Sequence, residues 1–283
     1  MSGHVITRYE VIERSRALPA FPLVINHILE TLDDVDANMN VLVNHIKQDS
    51  LMEARIISLA NRSATRTQYL PSNHNIYSAT SMIGTNRVRQ LALLSCIGSF
   101  ADDIIANSTT TMFWRHSVSV GVCCEELAYS TSVPSSAAQV AGLLHDIGQL
   151  WLDRFDSAAL GEAWNNALSH SIGIEVAERE SFGIDHATIG AWLAEYWSLP
   201  AGVVDAIRYH HAPEPGLEEP LVPLVHVAEV LSNALDLMGR PENRVSTIST
   251  PAFEKLGLVL DADIHPLFGR IMARSRHATA WFK

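Results

Sequence analysis

The residues best suited to chemistry in this sequence are histidines and carboxylates set into apolar segments. The segment AGLLHDIGQL places His145 and Asp146 at the end of a helix whose preceding residues are apolar or small. Burying an ionised carboxylate there costs on the order of several kcal/mol unless something compensates its charge. A divalent ion flanked by imidazoles is one compensation; a helix N-terminus or an arginine is another. Other segments offer similar groups: His116 in FWRHS, His186 in DHATIG, the pair His210 and His211 in RYHH, and Glu229 in HVAEVL. This set supplies nitrogen and oxygen but no thiolate, which suits Fe, Mn, Zn, Ni or Mg better than a structural zinc knot. Adjacent histidines on one helix point about 100° apart. His210 and His211 can therefore reach two neighbouring ions, or one ion and one hydrogen-bond acceptor. Taken singly, a histidine on an apolar helix is more often a hydrogen-bonded core residue than a ligand. His27, His45, His74, His170, His226, His265 and His277 are read that way. What distinguishes the first group is its order, His, His-Asp, His, His-His and acid, each on its own helical segment.

The elements that must position these groups are helical almost throughout, and no run alternates as a strand would. Ser50 followed by Glu53 fits a capping box, and the apolar stripe Met52, Ile56, Leu59 and Ala60 follows at helical spacing. Thr85 begins a helix whose buried face is Val88, Leu91, Ala92 and Cys96. The stretch from Thr65 to Asn75, with Pro71, reads as a loop. A composition shift in DDIIANSTTT, about residues 102 to 111, marks the boundary between an N-terminal helical bundle (1–105) and a second helical domain (106–283) with a C-terminal helical extension. Beyond it, helices are expected from Phe113 to Ala128, through an apolar stretch ending near Gly148, after a capping Asp185, after a first-turn Pro200, and from Leu221 to Leu237. The fold class is all-α.

Composition removes several functions. Apolar residues make up 47% and charged residues 18% of the 283 positions, the balance of a well-buried chain. A net charge of −11 argues against general nucleic-acid binding, which draws its affinity from neutralising phosphates. Lysine occurs only at positions 47, 255 and 283, so no polybasic membrane patch exists. The N-terminus carries charges throughout and lacks a signal-peptide core. No segment reaches the roughly 18 unbroken apolar residues that span a bilayer. Cys96, Cys123 and Cys124 lack metal-site spacing and read as reduced core residues of a cytoplasmic protein.

The order of these segments resembles the HD superfamily of metal-dependent phosphohydrolases, and the chain resembles the HDOD family in particular over roughly residues 10 to 235. LPAFPLVINHILETL, IKQDSLMEARIISLANRS and TSMIGTNRVRQLAL resemble that family's N-terminal half. FWRHSVSVGVCCEELA, VAGLLHDIGQLWL, FGIDHATIGAWLAEYWSLP and VVDAIRYHH resemble its C-terminal half. The resemblance implies a helical N-terminal bundle packed on an HD-like domain, in a bacterial signalling protein. It implies that His116, His145, Asp146, His186, His210 and His211 bind metal, with Glu229 where the related HD-GYP phosphodiesterases have an aspartate. One or two divalent ions are implied, with His145 and Asp146 central to catalysis.

Departures from the HD-GYP pattern are specific. Met112 stands where that branch has a glutamate one turn before its first histidine. Gln149 stands where it has a lysine, and the loop after His211 runs directly into APEPG. Methionine removes a carboxylate, and glutamine cannot offer a full positive charge to phosphate. Two functions are therefore expected to compete: a phosphohydrolase acting on a small phosphate ester or nucleotide, and a regulatory module that binds a signalling partner around a structural metal. A homodimer is compatible with either. Arg115 and Arg208 lie beside the ligand segments as candidate phosphate contacts, although a solvated helix face is the plainer role for each.

Overall fold

The computed structural model describes residues 5–16, 27–28, 31–32, 34, 36, 38–65, 75–85, 87–89, 91–92, 108–237, 245, 247–258 and 264–279. Every regular element among them is helical. In chain order the helices include α1 (Arg8–Ser15), α2 (Met39–Ile46), α3 (Ser50–Thr65), α4 (Ile76–Ile83), α5 (Ser108–Ala128), α6 (Ser135–Leu144), α7 (Ile147–His170), α8 (Ile174–Phe182), α9 (His186–Tyr196), α10 (Ala201–Tyr209), α11 (Leu221–Ala234), α12 (Thr250–Lys255) and α13 (His265–Thr279), and the described residues among 85–92 are helical as well. A single 3₁₀ turn, Glu214–Gly216, lies between α10 and α11. No described helix is long and apolar enough to cross a membrane.

The chain divides into two units, one of residues 18–104 and one of residues 1–17 with 105–283. The smaller unit builds its core from Leu42, Val43 and Ile46 of α2, from Ile76, Ala79 and Ile83 of α4, and from the α3 stripe Met52, Ile56, Leu59 and Ala60, all buried. Helix α3 is capped one residue earlier than the Ser50 reading: the Met52 N–H donates to Asp49 Oδ1 at 3.0 Å. A carboxylate at that place also meets the positive end of the helix dipole. The expected loop between Thr65 and Asn75 lies almost wholly outside the described residues, as do Cys96, His74 and residues 102–107 of the composition shift.

Helix α1 belongs to the larger unit, whereas the sequence boundary groups residues 1–105 together. Thr7 and Glu10 form a reciprocal capping box at its start. Val11 is wholly buried, the Ile6 N–H donates to the Phe182 carbonyl at 3.2 Å, and Trp151 Nε1 donates to Ser15 Oγ at 3.2 Å. A helix of two turns shows an apolar stripe but not which surface will cover it, so its partner was not legible in its own periodicity.

Within the larger unit α11 is buried on nearly every side, from Leu221 through Ala228, as a central helix must be. Helices α5 and α6 cross closely at Gly142, where an added Cβ would lie 2.5 Å from Cys124 Sγ and 3.0 Å from Gly121 Cα. Cys123 and Cys124 are buried and free, and burial pushes both thiols up, out of the reactive range. The apolar stretch expected to end near Gly148 instead breaks at His145 and Asp146: α6 stops at Leu144 and α7 starts at Ile147. Pro200 is the residue before α10 and not its first turn. Helix α11 ends at Ala234, three residues short of the expected end.

Candidate metal centre

Three helix junctions and two helix interiors carry the chemistry. Asp146 occupies the break between α6 and α7 with φ −97° and ψ 10°, and its side chain makes no capping bond to α7. That bridge conformation is sparsely populated and recurs at active sites. It turns the carboxylate inward while leaving it at the positive end of α7. His186 is the first residue of α9, which Asp185 caps through a 2.8 Å bond from the Thr188 N–H. His210 and His211 follow the last turn of α10, His116 lies within α5, and Glu229 lies on α11. Gly148 sets the spacing of the first two junctions, because a Cβ there would fall 2.0 Å from the His186 carbonyl oxygen.

All seven expected residues come together. Possible ligand atoms of Asp146, His186, His210 and His211 lie within 4.8 Å of one another, as do those of His116, His145 and Asp146, and those of His145, His210 and Glu229. Asp146 divides its two oxygens. His116 Nε2 and His145 Nε2 stand 3.4 and 3.3 Å from Oδ2, while His186 Nε2 and His210 Nε2 stand 3.2 and 3.5 Å from Oδ1. His211 Nε2 is 2.9 Å from His186 Nε2, and His211 Nδ1 is 3.9 Å from Glu229 Oε2.

The other ring nitrogens fix what faces Asp146. His145 Nδ1 donates to the Gly142 carbonyl at 2.8 Å, and His210 Nδ1 to the Ile207 carbonyl at 2.6 Å. A carbonyl can only accept, so in each neutral ring Nε2 is left as a bare lone pair. His186 Nδ1 lies 2.6 Å from Glu178 Oε2 and donates to it in the same way. Bare nitrogens facing a carboxylate repel it unless a cation stands between them. His145 Nε2 and Asp146 Oδ1 are both buried without a hydrogen-bond partner, so the nitrogens stand at ion-pair distance but off the hydrogen-bond directions. Bare imidazole nitrogens converging on a carboxylate from several helices are the donor set of a divalent ion, and the residues fit one.

Without such an ion, protons take its place. Burial disfavours the charged form of His186, but Glu178 and Asp146 outweigh it and raise its pKa well above the usual histidine range. Burial would lift Asp146, yet the surrounding imidazoles hold it well below the usual carboxylate range. Burial, with the crowding of neighbouring imidazoles, pushes His211 well below the usual histidine range. Glu229, pushed up to about 7 chiefly by burial, can take or give a proton near neutrality.

Two buried residues that sequence reasoning did not assign to the site complete it. Glu178 on α8 accepts from both His186 Nδ1 and the His186 backbone N–H, at 2.6 and 2.8 Å. In IEVAERESF it is one of three glutamates, and only burial separates it from Glu180, which is exposed. His226, read as a core histidine, is one: Nδ1 donates to the His210 carbonyl at 2.6 Å and Nε2 accepts from the Ser249 N–H at 3.1 Å. Beside it a recess of ≈ 200 Å³ is lined by His211, His226, Glu229, Asn233 and Thr247, with Val230 and Val245. Of the two candidate arginines, Arg208 is spent on Glu195 at 2.6 Å, a carboxylate that Arg8 also contacts. Arg115 keeps a buried Nε without a hydrogen-bond partner among the described residues. Met112 and Gln149 are half-buried.

Comparison with known proteins agrees with this fold. Residues 18–213 match the HDOD domain, and the chain belongs to the HDOD family. It is similar to ribonuclease Y of Aquifex aeolicus, at 32% identity over 133 residues, covering 47% of this chain and 18% of that protein. The chain spans less than half the length of the curated relatives it matches. A Marinobacter aquaeolei structure, provisionally named a signal transduction protein, aligns with a TM-score of 0.74 at 22% identity, covering all of this chain and 62% of that one. A Shewanella amazonensis structure, provisionally named a phosphohydrolase, aligns with a TM-score of 0.63 at 21% identity over 96% of both chains. At these identities the structural likeness is one of fold.

Proposed function

We propose that this chain is a metal-dependent phosphohydrolase of bacterial signalling, acting on a small phosphate ester or nucleotide. The observation that carries the proposal is the ring of bare imidazole nitrogens around both oxygens of Asp146. Asp146 with His116, His145, His186, His210, His211 and Glu229 would hold one or two divalent ions. A bound divalent ion would lower the pKa of its water and neutralise charge on phosphoryl oxygens.

The protein's own part is to hold these groups dry and fixed. The Gly142 and Ile207 carbonyls keep His145 and His210 in the tautomer that presents Nε2. Glu229 stands beside His211 at the edge of the recess, where its carboxylate would help hold the ion. The net charge of −11 weighs against a nucleic-acid polymer as the substrate. The similarity to ribonuclease Y supports chemistry at a phosphate ester. The full protein is tested after reconstitution with Mn, Fe, Zn or Mg against phosphomonoesters, nucleotides and phosphodiesters. Hydrolysis lost in Asp146→Ala supports the proposal.

A second reading, a regulatory module with a structural metal, is favoured by the loss of polar groups around the site. Met112 and Gln149 supply neither a carboxylate nor a cation, and Arg208 is committed to Glu195. Metal-loaded protein that hydrolyses nothing in the panel, yet holds a protein partner stably, would decide for it.

A further inference from the structure

We infer that Glu178 is a positioning residue that sets how strongly the His186 side of the centre grips a cation. The inference rests on the metal-binding reading above and concerns a residue on α8, a helix that contributes no ligand. His186 is the hub of the cluster: its Nε2 lies 3.2 Å from Asp146 Oδ1, 3.3 Å from His210 Nε2 and 2.9 Å from His211 Nε2. The rings of His145 and His210 are steered by neutral backbone carbonyls. Among these three rings, His186 alone is steered by a carboxylate. A negative acceptor at Nδ1 makes the opposite nitrogen a stronger donor than a carbonyl does, and such outer partners commonly tune a metal site.

Glu178 has no competing employment among the described residues. It is wholly buried, and its Oε1 has no hydrogen-bond partner. The neighbouring Arg179 pairs with Asp185 instead. Nor does α9 need it as a cap, since Asp185 already accepts the Thr188 N–H. The carboxylate spends both of its bonds on one residue, the His186 ring and the His186 N–H, which fixes the ring plane together with the helix start.

The test compares Glu178→Gln and Glu178→Ala with the parent full-length chain, using Co(II) as the probe. Glutamine can still accept both bonds through its one oxygen but lacks the charge, while alanine removes both. Co(II) affinity is expected to fall roughly 10-fold in the first and up to roughly 100-fold in the second, with a shifted d–d spectrum in each. Variants with parent-like circular dichroism, parent affinity and an unchanged spectrum overturn the inference. If alanine does not fold, glutamine alone decides. A parent that binds no Co(II) defeats the metal reading separately. ¹⁵N-histidine NMR of the metal-free protein then tests Glu178 by itself. A downfield His186 Nδ1–H present in the parent and lost in Glu178→Ala supports it, and its absence from the parent overturns it.

Discussion

Helix α5 serves two buried carboxylate clusters that are completed in opposite ways. Near its C-terminus Glu125 and Glu126, each 3% exposed, meet permanent cations. Arg270 Nε donates to Glu126 at 2.8 Å, and Arg274 reaches Glu126 at 2.5 Å and Glu125 at 2.6 Å. Tyr129 and Gln139 donate to Glu125 as well. Burial would raise Glu126, but the two guanidinium groups hold it below the usual carboxylate range. Nine residues before Glu125, α5 sends His116 toward Asp146, whose partners are imidazoles, with no lysine or arginine paired to it among the described residues. The first cluster is electrically finished by the chain itself and pins α13 to the bundle. The second is finished only by something exchangeable, a proton or a metal ion. The same fold builds both arrangements a few turns apart, and only the second has a donor set that could hold an exchangeable cation.

The contrast can be broken at several strengths. Gly148→Ala should do the most damage, because its Cβ would overlap the His186 carbonyl and force α7 and α9 apart. We expect a loss of more than about 3 kcal/mol in urea denaturation together with lost metal binding. Arg274→Ala comes next, since it leaves two buried carboxylates short of a partner. It should cost about 3 kcal/mol, while metal affinity of the folded fraction stays at the parent value. Glu126→Gln should cost less, because the guanidinium groups it abandons are partly exposed and can be rehydrated.

Metal should sharpen the same difference from the other side. A divalent ion at a hundred times its Kd should raise unfolding free energy by about 2.7 kcal/mol in the parent and not in Asp146→Ala. That uptake should weaken as pH falls through about 7, where Glu229 takes up a proton, as followed by competition titration. The sign in metal-free protein differs. The raised pKa of His186 gives stability that is complete below the usual histidine range and fades as pH rises through the higher folded value. The depressed pKa of Asp146 gives stability present above the usual carboxylate range and lost as pH falls through the folded value. Smallest of all, Arg208→Ala removes a partly exposed ion pair with Glu195. It should change stability by about 0.5 kcal/mol and leave metal binding alone.

Much of this was legible in the sequence. The helical class followed from periodicity, and the seven clustered side chains stood out by their order along the chain and by the resemblance that this order carries. What the sequence hides is what only packing decides. Glu178 looks like Glu180 until α8 is rotated into place, and His226 differs from a ligand histidine only in where its two nitrogens point. The break at His145 and Asp146 was masked by apolar residues on both sides, which continue a helical pattern across it. The partner of α1 was masked because two turns of amphipathic helix fit many surfaces.

Everything proposed for the Asp146 cluster depends on its taking up a metal ion. The most direct test of that uptake is the metal content of the full-length protein purified without chelator, beside a His145→Ala/Asp146→Ala variant. About one or two equivalents of a divalent transition metal are expected in the parent and none in the folded variant. A folded parent that is free of metal, and that refuses Mn, Fe, Ni and Zn on reconstitution, would contradict it.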